Sequence, residues 1–141
     1  MAGPYPVHSR AVSERFHFTI RATDEDIDEL GHVSNLVYLR WVLDAATAHS
    51  VARGWGHAEY LARGAVFVVR RHELDYLLPV VAGDELVAQT WVESWRAASC
   101  VRRTDLLRGD RTVARGATTW AFITLPDGRP TRIPPDLRAL F

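Results

Sequence analysis

The sequence of 141 residues has no lysine and almost no cysteine, and each absence excludes a kind of chemistry. All 17 basic residues are arginines, so Schiff-base catalysis by a lysine amine is excluded. Binding of phosphate or carboxylate by a permanent cation is left to planar guanidinium groups. The single cysteine, Cys100, excludes an intramolecular disulfide and a zinc site built from several cysteines. A lone cysteine fits a reducing compartment, and we expect a cytoplasmic protein.

Excess charge of one sign and long apolar runs are also missing. The 17 acidic residues balance the 17 basic ones, so the chain has no net charge. This balance argues against binding to nucleic acid or to an anionic membrane through overall positive charge. No apolar run approaches 18 residues, and the N-terminus lacks a signal-peptide pattern. Phosphate-loop and serine-nucleophile motifs are absent as well. We therefore expect no nucleic-acid partner and no membrane segment.

The length and composition that remain are those of one globular domain. About 100–200 residues is a usual domain size, and 48% hydrophobic with 24% charged residues is ordinary globular composition. The prediction is a single domain over residues 1–141. Pro4 and Pro6 make residues 1–12 a loose N-terminal arm in this interpretation.

The hydrophobic pattern predicts one strand, one long helix and then four strands. Residues 14–22 alternate apolar and polar side chains, whereas residues 35–53 follow helical spacing between a Ser34 or Asn35 cap and Gly54. This helix is apolar around most of its circumference, so we expect it to be buried on most sides. The later strands are predicted at 65–78, 85–95, 99–108 and 112–125. The order predicts an α+β fold, with an antiparallel sheet curled around the helix.

An acidic segment, Asp24–Glu29, precedes the helix in an otherwise neutral chain. It could be a solvated loop. Asp24, Asp26 and Asp28 also match the first ligands of a calcium loop, but the glycine and glutamate required later in such a loop are missing. Crowding of like charges is expected to raise carboxylate pKa values here, and partial burial of Asp28 would act in the same direction.

A third interpretation of this segment uses the residues that follow it. Asp28, His32 and Asn35 place a carboxylate and an imidazole just before the start of an apolar helix. A carboxylate can activate water or attack a carbonyl, and the free N–H groups of a helix start can stabilise an oxyanion. This combination points to acyl-group hydrolysis.

Two motifs carry a family resemblance. The segment DIDELGHVSNLVYLRW and the later HELDYLLPVVAGDELVAQT together resemble the hot-dog-fold acyl-CoA thioesterases of the 4-hydroxybenzoyl-CoA thioesterase-like branch. The resemblance spans about residues 14–125 and implies a hot-dog fold. It also implies that Asp28 is the catalytic base or nucleophile, that His32 orients the site, and that the Asn35 backbone N–H polarises the thioester carbonyl.

The same resemblance implies a homodimer or homotetramer and no metal or organic cofactor. The chain is also similar to plant acyl-carrier-protein thioesterases, but Leu30 replaces an asparagine of their catalytic set. This departure favours a coenzyme A thioester as substrate.

Further candidates lie outside the main motif. Glu73 is a candidate second carboxylate, with pairing to an arginine as the alternative. Tyr38 and Trp41 are candidates for contacting the acyl group. Cys100 has no histidine after it in the chain and is expected to be a small hydrophobe rather than a nucleophile.

Arginines on the predicted strands could bind the phosphates of coenzyme A. The alternative is ordinary cross-strand pairing with acidic side chains. The candidates are Arg70, Arg71, Arg102 and Arg103.

The predicted function is hydrolysis of an acyl-CoA thioester to a free acid and coenzyme A. A hot-dog hydratase or dehydratase and a non-catalytic acyl-CoA-binding protein are the alternatives. Because a single curled sheet leaves edge strands exposed, we also expect a homo-oligomer with the active site at a subunit boundary.

Overall fold

The computed structural model describes residues 14–141 and contains a five-stranded antiparallel sheet with one long helix. The strands are β1 (Phe16–Arg21), β2 (Ala65–Tyr76), β3 (Glu85–Trp95), β4 (Ser99–Arg108) and β5 (Arg111–Thr124). The helices are α1 (Asn35–Ala52), α2 (His57–Arg63) and α3 (Pro135–Arg138), and a 3₁₀ turn covers Asp24–Asp26. The sheet order is β1-β3-β4-β5-β2, so the predicted α+β class is confirmed. The expected arm at residues 1–12 lies outside the described residues.

Capping residues set the limits of α1 close to the predicted ones. The Ser34 side chain accepts a hydrogen bond from the Leu36 N–H, which caps the helix start. At the other end Arg53 is the cap, and Gly54 follows with a φ of 88°. Only glycine adopts that left-handed backbone without strain, so the helix stops there.

The expectation that α1 is buried on most sides is wrong for the single chain. Its inner face is buried through Tyr38, Trp41 and Val42, but Leu36 is 70% exposed and Val51 is 56% exposed. The sheet covers only one face of the helix because five strands cannot close around it. The face that remains open to solvent is mixed, because Arg40, Asp44 and Thr47 lie on it between Leu36 and Val51.

The helix lies close to the sheet where β5 carries a glycine. A Cβ atom on Gly116 would lie 3.0 Å from Cδ2 of Leu74 and 3.5 Å from Cγ2 of Val42 in α1. The missing side chain permits this close approach.

Two clusters of buried side chains form the core. The helix-start core includes Tyr38, Trp41, Leu86, Leu106 and Val113. The helix-end core includes Val92, Cys100, Phe122, Leu137 and Phe141. Each cluster adjoins one of the two cavities described below.

The remaining differences from the sequence prediction are local. The short helix α2, His57–Arg63, was not predicted because its seven residues lie between two glycines and carry no long apolar pattern. Strand β2 ends at Tyr76, two residues before the predicted end. It pairs with β5 alone and is thus an edge of the sheet, with a register irregularity between Val69 and Arg71.

Candidate active site

The loop between β1 and α1 is fixed to the helix by one buried carboxylate. Asp26 is 6% exposed. Its Oδ2 accepts the Thr23 backbone N–H at 2.9 Å, and its Oδ1 accepts Nη2 of Arg40 on α1 at 2.8 Å. The Asp26 carbonyl accepts the N–H of Ser34, the cap residue of α1. Asp26 therefore sets the position of the loop relative to the helix start.

Two residues later, a tight turn presents Asp28. The Asp28 N–H donates to the His32 carbonyl at 2.8 Å, and the Gly31 N–H donates to the Asp28 carbonyl at 3.1 Å. Gly31 has a φ of 81°, which this turn requires and other residues rarely adopt. Oδ1 of Asp28 accepts the Leu30 N–H at 2.9 Å, and Oδ2 has no partner among residues 14–141. One carboxylate oxygen is thus oriented while the other stays available.

Asn35 begins α1 and carries a free backbone donor. Its N–H has no acceptor within the part of the chain that the structure describes, as expected for the first residue of a helix. The positive end of the helix dipole lies at the same place. The Tyr76 hydroxyl at the end of β2 donates to the Asn35 carbonyl at 3.1 Å, which ties the helix start to the sheet.

An open cavity of about 450 Å³ brings these groups together. Its walls include four residues that were predicted from the sequence and one residue that was not. They are Asp28, His32, Asn35, Tyr38 and Tyr76. Tyr76 belongs to the Asp-Tyr pair of the second motif, so a signal for it was present in the sequence. A carboxylate and a helix-start N–H that line one cavity can act on the same carbonyl group.

Burial and aromatic contacts fix Tyr38 within this cavity wall. Tyr38 is 3% exposed and makes edge contacts with Trp41 and Tyr76, at centroid distances of 5.4 and 5.0 Å. Burial raises the pKa of the Tyr38 phenol, and the neighbouring Tyr76 acts in the same direction. Tyr38 therefore stays protonated at neutral pH.

The carboxylates of the acidic segment differ in their burial and in their hydrogen-bond partners. Burial acts to raise the pKa of Asp26, but the hydrogen bonds from Thr23 and the charge of Arg40 outweigh it, so the pKa is lowered. The expected rise from like-charge crowding is thus wrong for this residue. The side chain of Asp28 is exposed, so its expected burial is wrong in the described chain as well. The backbone and arginine partners of Asp26, which the composition of the segment does not reveal, determine the direction of its pKa shift.

Some predicted site residues lie apart from the cavity. Trp41 is 4% exposed and packs beneath Tyr38 in the helix-start core. Glu73 is exposed on β2 and forms an ion pair with Arg71 at 2.7 Å. Neither side chain lines the cavity.

The four candidate arginines have different surroundings. Arg71 pairs with Glu73, and Arg103 pairs with Glu93 at 2.9 Å. Arg70 is exposed and has no hydrogen-bond or ion-pair partner within residues 14–141. Arg102 is 6% exposed and lies beside a second cavity at the opposite end of α1, where a phosphate at the surface cannot reach it.

Other kinds of site find little support in the described chain. Residues 14–141 contain no group of three histidine, cysteine, aspartate or glutamate side chains that could hold a metal ion. In the same range, no helix is both long and apolar enough to cross a membrane. Cys100 is buried, and burial raises the pKa of its thiol to about 11, which makes it a poor nucleophile, as expected.

Comparisons with known proteins find solved structures with the same fold. A probable thioesterase from Bartonella henselae is 23% identical, with 86% of this chain and 100% of that one covered and a TM-score of 0.80. A 1,4-dihydroxy-2-naphthoyl-CoA thioesterase from Synechocystis is 18% identical, with 90% and 96% covered and a TM-score of 0.81. A Staphylococcus aureus protein solved in complex with CoA is 15% identical, with 92% and 82% covered and a TM-score of 0.84.

At these identities the solved structures show the fold alone, and no curated protein matches the chain. The family evidence comes from a model of the thioesterase-like superfamily, which matches residues 22–141 and thus most of the chain. The resemblance seen in the two motifs is confirmed. The chain has the hot-dog fold and belongs to the thioesterase-like superfamily.

Proposed function

We propose that the protein hydrolyses an acyl-CoA thioester to a free acid and coenzyme A. The observation that carries this proposal is that Asp28 and the unpaired N–H of Asn35 line one open cavity. Family membership favours thioester chemistry. The CoA complex of one neighbour and the acyl-CoA substrate in the name of another favour coenzyme A as the carrier.

In the proposed reaction the thioester carbonyl oxygen accepts the Asn35 N–H. With Asp28 as general base, its free Oδ2 takes a proton from water, and the water oxygen attacks the carbonyl carbon. Negative charge on the carbonyl oxygen is stabilised by the helix start. The C–S bond then breaks, and the departing thiolate takes the proton back from Asp28. In the nucleophilic alternative Asp28 itself attacks the carbonyl carbon and the C–S bond breaks to release the coenzyme A thiolate; water then hydrolyses the resulting anhydride, which frees the acid and restores the Asp28 carboxylate.

Supporting roles are proposed for residues around this centre. His32 and Tyr38 line the cavity and would contact the acyl group or the thioester. Arg70 has no partner within residues 14–141. Among the four candidate arginines, we therefore favour Arg70 as the one that binds a CoA phosphate. Arg71 and Arg103 would have to leave their ion pairs first. Glu73, Trp41 and Arg102 do not line this cavity, and we propose no catalytic role for them.

We also propose that the working form is a homodimer or a homotetramer. The edge strand β2 pairs with β5 alone and carries Tyr76 of the cavity at its end. Pairing of two such edges would cover both and would place the cavity near the boundary. The exposed Leu36 and Val51 on the outer face of α1 give a further reason for a partner surface.

Light scattering at micromolar concentration should give at least twice the 15.9 kDa of one chain, and a monomeric mass would contradict this proposal. The cytoplasmic location stays a prediction.

The test of the activity is release of free thiol from a panel of acyl-CoA compounds, ranging from short aliphatic to aromatic acyl groups. Hydrolysis frees one thiol for each carboxylic acid formed. A hydratase or dehydratase would change the acyl group but leave the thioester intact, and a binding protein would change neither. Enzyme-dependent thiol release supports the proposal, whereas binding of the panel without release would overturn it.

A further inference from the structure

A second cavity, of about 240 Å³, lies at the other end of α1. It is bordered by Ala46, Thr47 and Ser50 of the helix, and six aromatic side chains form a large part of its remaining wall. These aromatic residues are Trp55, Tyr60, Phe67, Trp95, Trp120 and Phe141. Residues 35 and 50 are separated by 15 helical positions, or about 22 Å at 1.5 Å per residue. Within one chain this cavity is therefore separate from the one at Asp28.

A buried guanidinium lines this apolar cavity. Arg102 is 6% exposed. Its Nη1 donates to Nδ1 of His49 at 2.9 Å and to the Thr90 hydroxyl at 3.0 Å, and the Phe141 ring lies 5.5 Å from Cζ. Burial lowers the pKa of Arg102 to about 10, so the group is still charged at neutral pH.

No negative charge compensates Arg102. Within residues 14–141 no carboxylate lies within 4.0 Å of it, and residues 1–13 contain no aspartate or glutamate. His49 is neutral, because burial and then the charge of Arg102 lower its pKa to about 3. Buried charges in proteins are normally paired, since an isolated one carries a large desolvation cost. The missing partner therefore points to an anion from outside the chain.

The donors left over have the geometry of a carboxylate site. Nη1 of Arg102 is already used, and Nε and Nη2 have no acceptor in the described range. These two nitrogens form the side of the guanidinium that binds both oxygens of a carboxylate. Trp120, also in the cavity wall, has a buried Nε1–H with no acceptor among residues 14–141.

We propose that this cavity binds a small aromatic or similarly compact apolar carboxylate, with the carboxylate on Arg102 and the apolar body among the aromatic side chains. A volume of about 240 Å³ corresponds to roughly eight water molecules at about 30 Å³ each, which is enough room for one ring with its carboxylate. The carboxylate could belong to a free acid or to the far end of an acyl group whose thioester lies in another subunit. The second source rests on the proposed function.

The test uses benzoate as the probe and benzamide as a neutral compound of nearly the same shape. Three tryptophans border the cavity, so intrinsic fluorescence and calorimetry can follow binding to the full chain. We expect benzoate to bind about tenfold or more tightly than benzamide. Equal binding of the two compounds, or no binding of benzoate, would overturn the proposal. This comparison needs no variant and no turnover, so it stands or fails separately from thioester hydrolysis.

A matched pair of variants then locates the anion site. Arg102→Met replaces the buried guanidinium by an apolar side chain of similar length, and it should weaken benzoate binding about tenfold while leaving benzamide binding nearly unchanged. Arg103→Met removes the neighbouring exposed guanidinium and should change neither. Benzoate binding that survives Arg102→Met would contradict the assignment.

Kinetics distinguish the two sources of the carboxylate. If the cavity holds the end of an acyl group, benzoate should inhibit thiol release competitively with the acyl-CoA substrate. If it holds a free acid, benzoate should bind in the presence of saturating acyl-CoA without competing. Either pattern supports the carboxylate site.

Discussion

The charged side chains at the two ends of α1 differ in their exposure to solvent. At its start, the carboxylate of Asp28 is exposed in an open cavity and keeps one oxygen free. At its end, the guanidinium of Arg102 is buried beside an aromatic cavity, with no carboxylate within 4.0 Å among residues 14–141. The comparison teaches that one helix can serve two purposes. Its free N–H groups favour chemistry on a carbonyl, whereas its apolar far end favours selective binding of a small group.

The protonation states of the titratable groups also differ between the two ends of α1. Burial holds the groups at the helix end in one state, with the His49 pKa lowered to about 3 and the Cys100 pKa raised to about 11. Neither group changes its charge near neutral pH, which suits a binding wall rather than proton transfer. At the helix start, the partners of Asp26 keep that carboxylate ionised, and it serves as an anchor.

Replacing the exposed carboxylate should have the largest effect. Asp28→Asn is expected to lower kcat/KM for thioester hydrolysis by about 10²–10⁴, the range typical for loss of a general base. The melting temperature should stay close to that of the wild type, because the side chain is exposed. Glu25→Gln, in the same loop and outside the cavity, is the control and should keep its activity. A folded Asp28→Asn protein with more than about half of the wild-type rate would contradict the assignment.

At the helix end, His49 should make stability depend on pH. Its folded pKa of about 3 lies below the usual 6.5, so the unfolded chain binds the proton more readily. The contribution to the unfolding free energy is complete above pH 6.5 and is lost as the pH falls, at about 1.4 kcal/mol per unit. Urea unfolding at pH 7, 6 and 5 should show this slope in the wild type. The slope should be smaller in His49→Gln, where His72, whose pKa burial also lowers, still contributes, and it should be retained in full in the exposed control His17→Gln. Parallel slopes in all three proteins would show that His49 does not titrate on unfolding.

The anchor at the helix start should give a smaller effect. Asp26→Asn removes the charge that pairs with Arg40 and should cost about 1 kcal/mol at pH 7, because Arg40 is largely exposed. This corresponds to a fall in melting temperature of about 2–4 °C for a chain of this size. The folded pKa of Asp26 is lowered, so the wild-type advantage is present above the usual 3.8 and disappears as the pH falls through the folded value. Asp24→Asn is the exposed control, and a difference between wild type and Asp26→Asn that does not shrink as the pH falls below 3.8 would contradict the role of the charge.

The smallest change is expected from Tyr76→Phe. This variant removes the hydroxyl that donates to the Asn35 carbonyl, an interaction of about 0.5–1.5 kcal/mol between partly exposed groups. A slightly displaced helix start should lower kcat/KM by about two- to tenfold, and the melting temperature should fall by no more than it does in Asp26→Asn. Steady-state kinetics and a thermal melt check both values. Unchanged kcat/KM would show that the hydroxyl does not hold the helix start in place.

Prediction from sequence was strongest where local patterns carry the information. The cap at Ser34, the glycine after Arg53 and the acidic loop before α1 placed Asp28, His32 and Asn35 correctly near one another. It was weaker where partners are distant in the chain. The Asp26–Arg40 pair lies on opposite sides of the turn that presents Asp28, and no spacing rule reveals it.

The strand arginines show the same limit. Nothing in the sequence distinguished the four candidate arginines from one another. In the structure, Arg71 and Arg103 form exposed ion pairs, Arg70 has no partner in the described range, and Arg102 is buried. Alternation along β4 places Arg102 and Arg103 on opposite faces of the sheet. Only the packing of Phe141 and the helix-end core over one face determines which of the two is buried.

By itself, the sequence determined the α+β class, the long apolar helix, its capped start and the carboxylate before it. These features depend on neighbouring residues and on hydrophobic period, which are local properties. The tertiary structure alone decided which charges are solvated, which are paired and which are buried without an anion. Those outcomes depend on side chains brought together by strand register and helix packing, such as Arg102 with His49, 53 residues apart in the chain. Burial and the partners that compensate for it together set the energy of a charge, and both are properties of the whole fold.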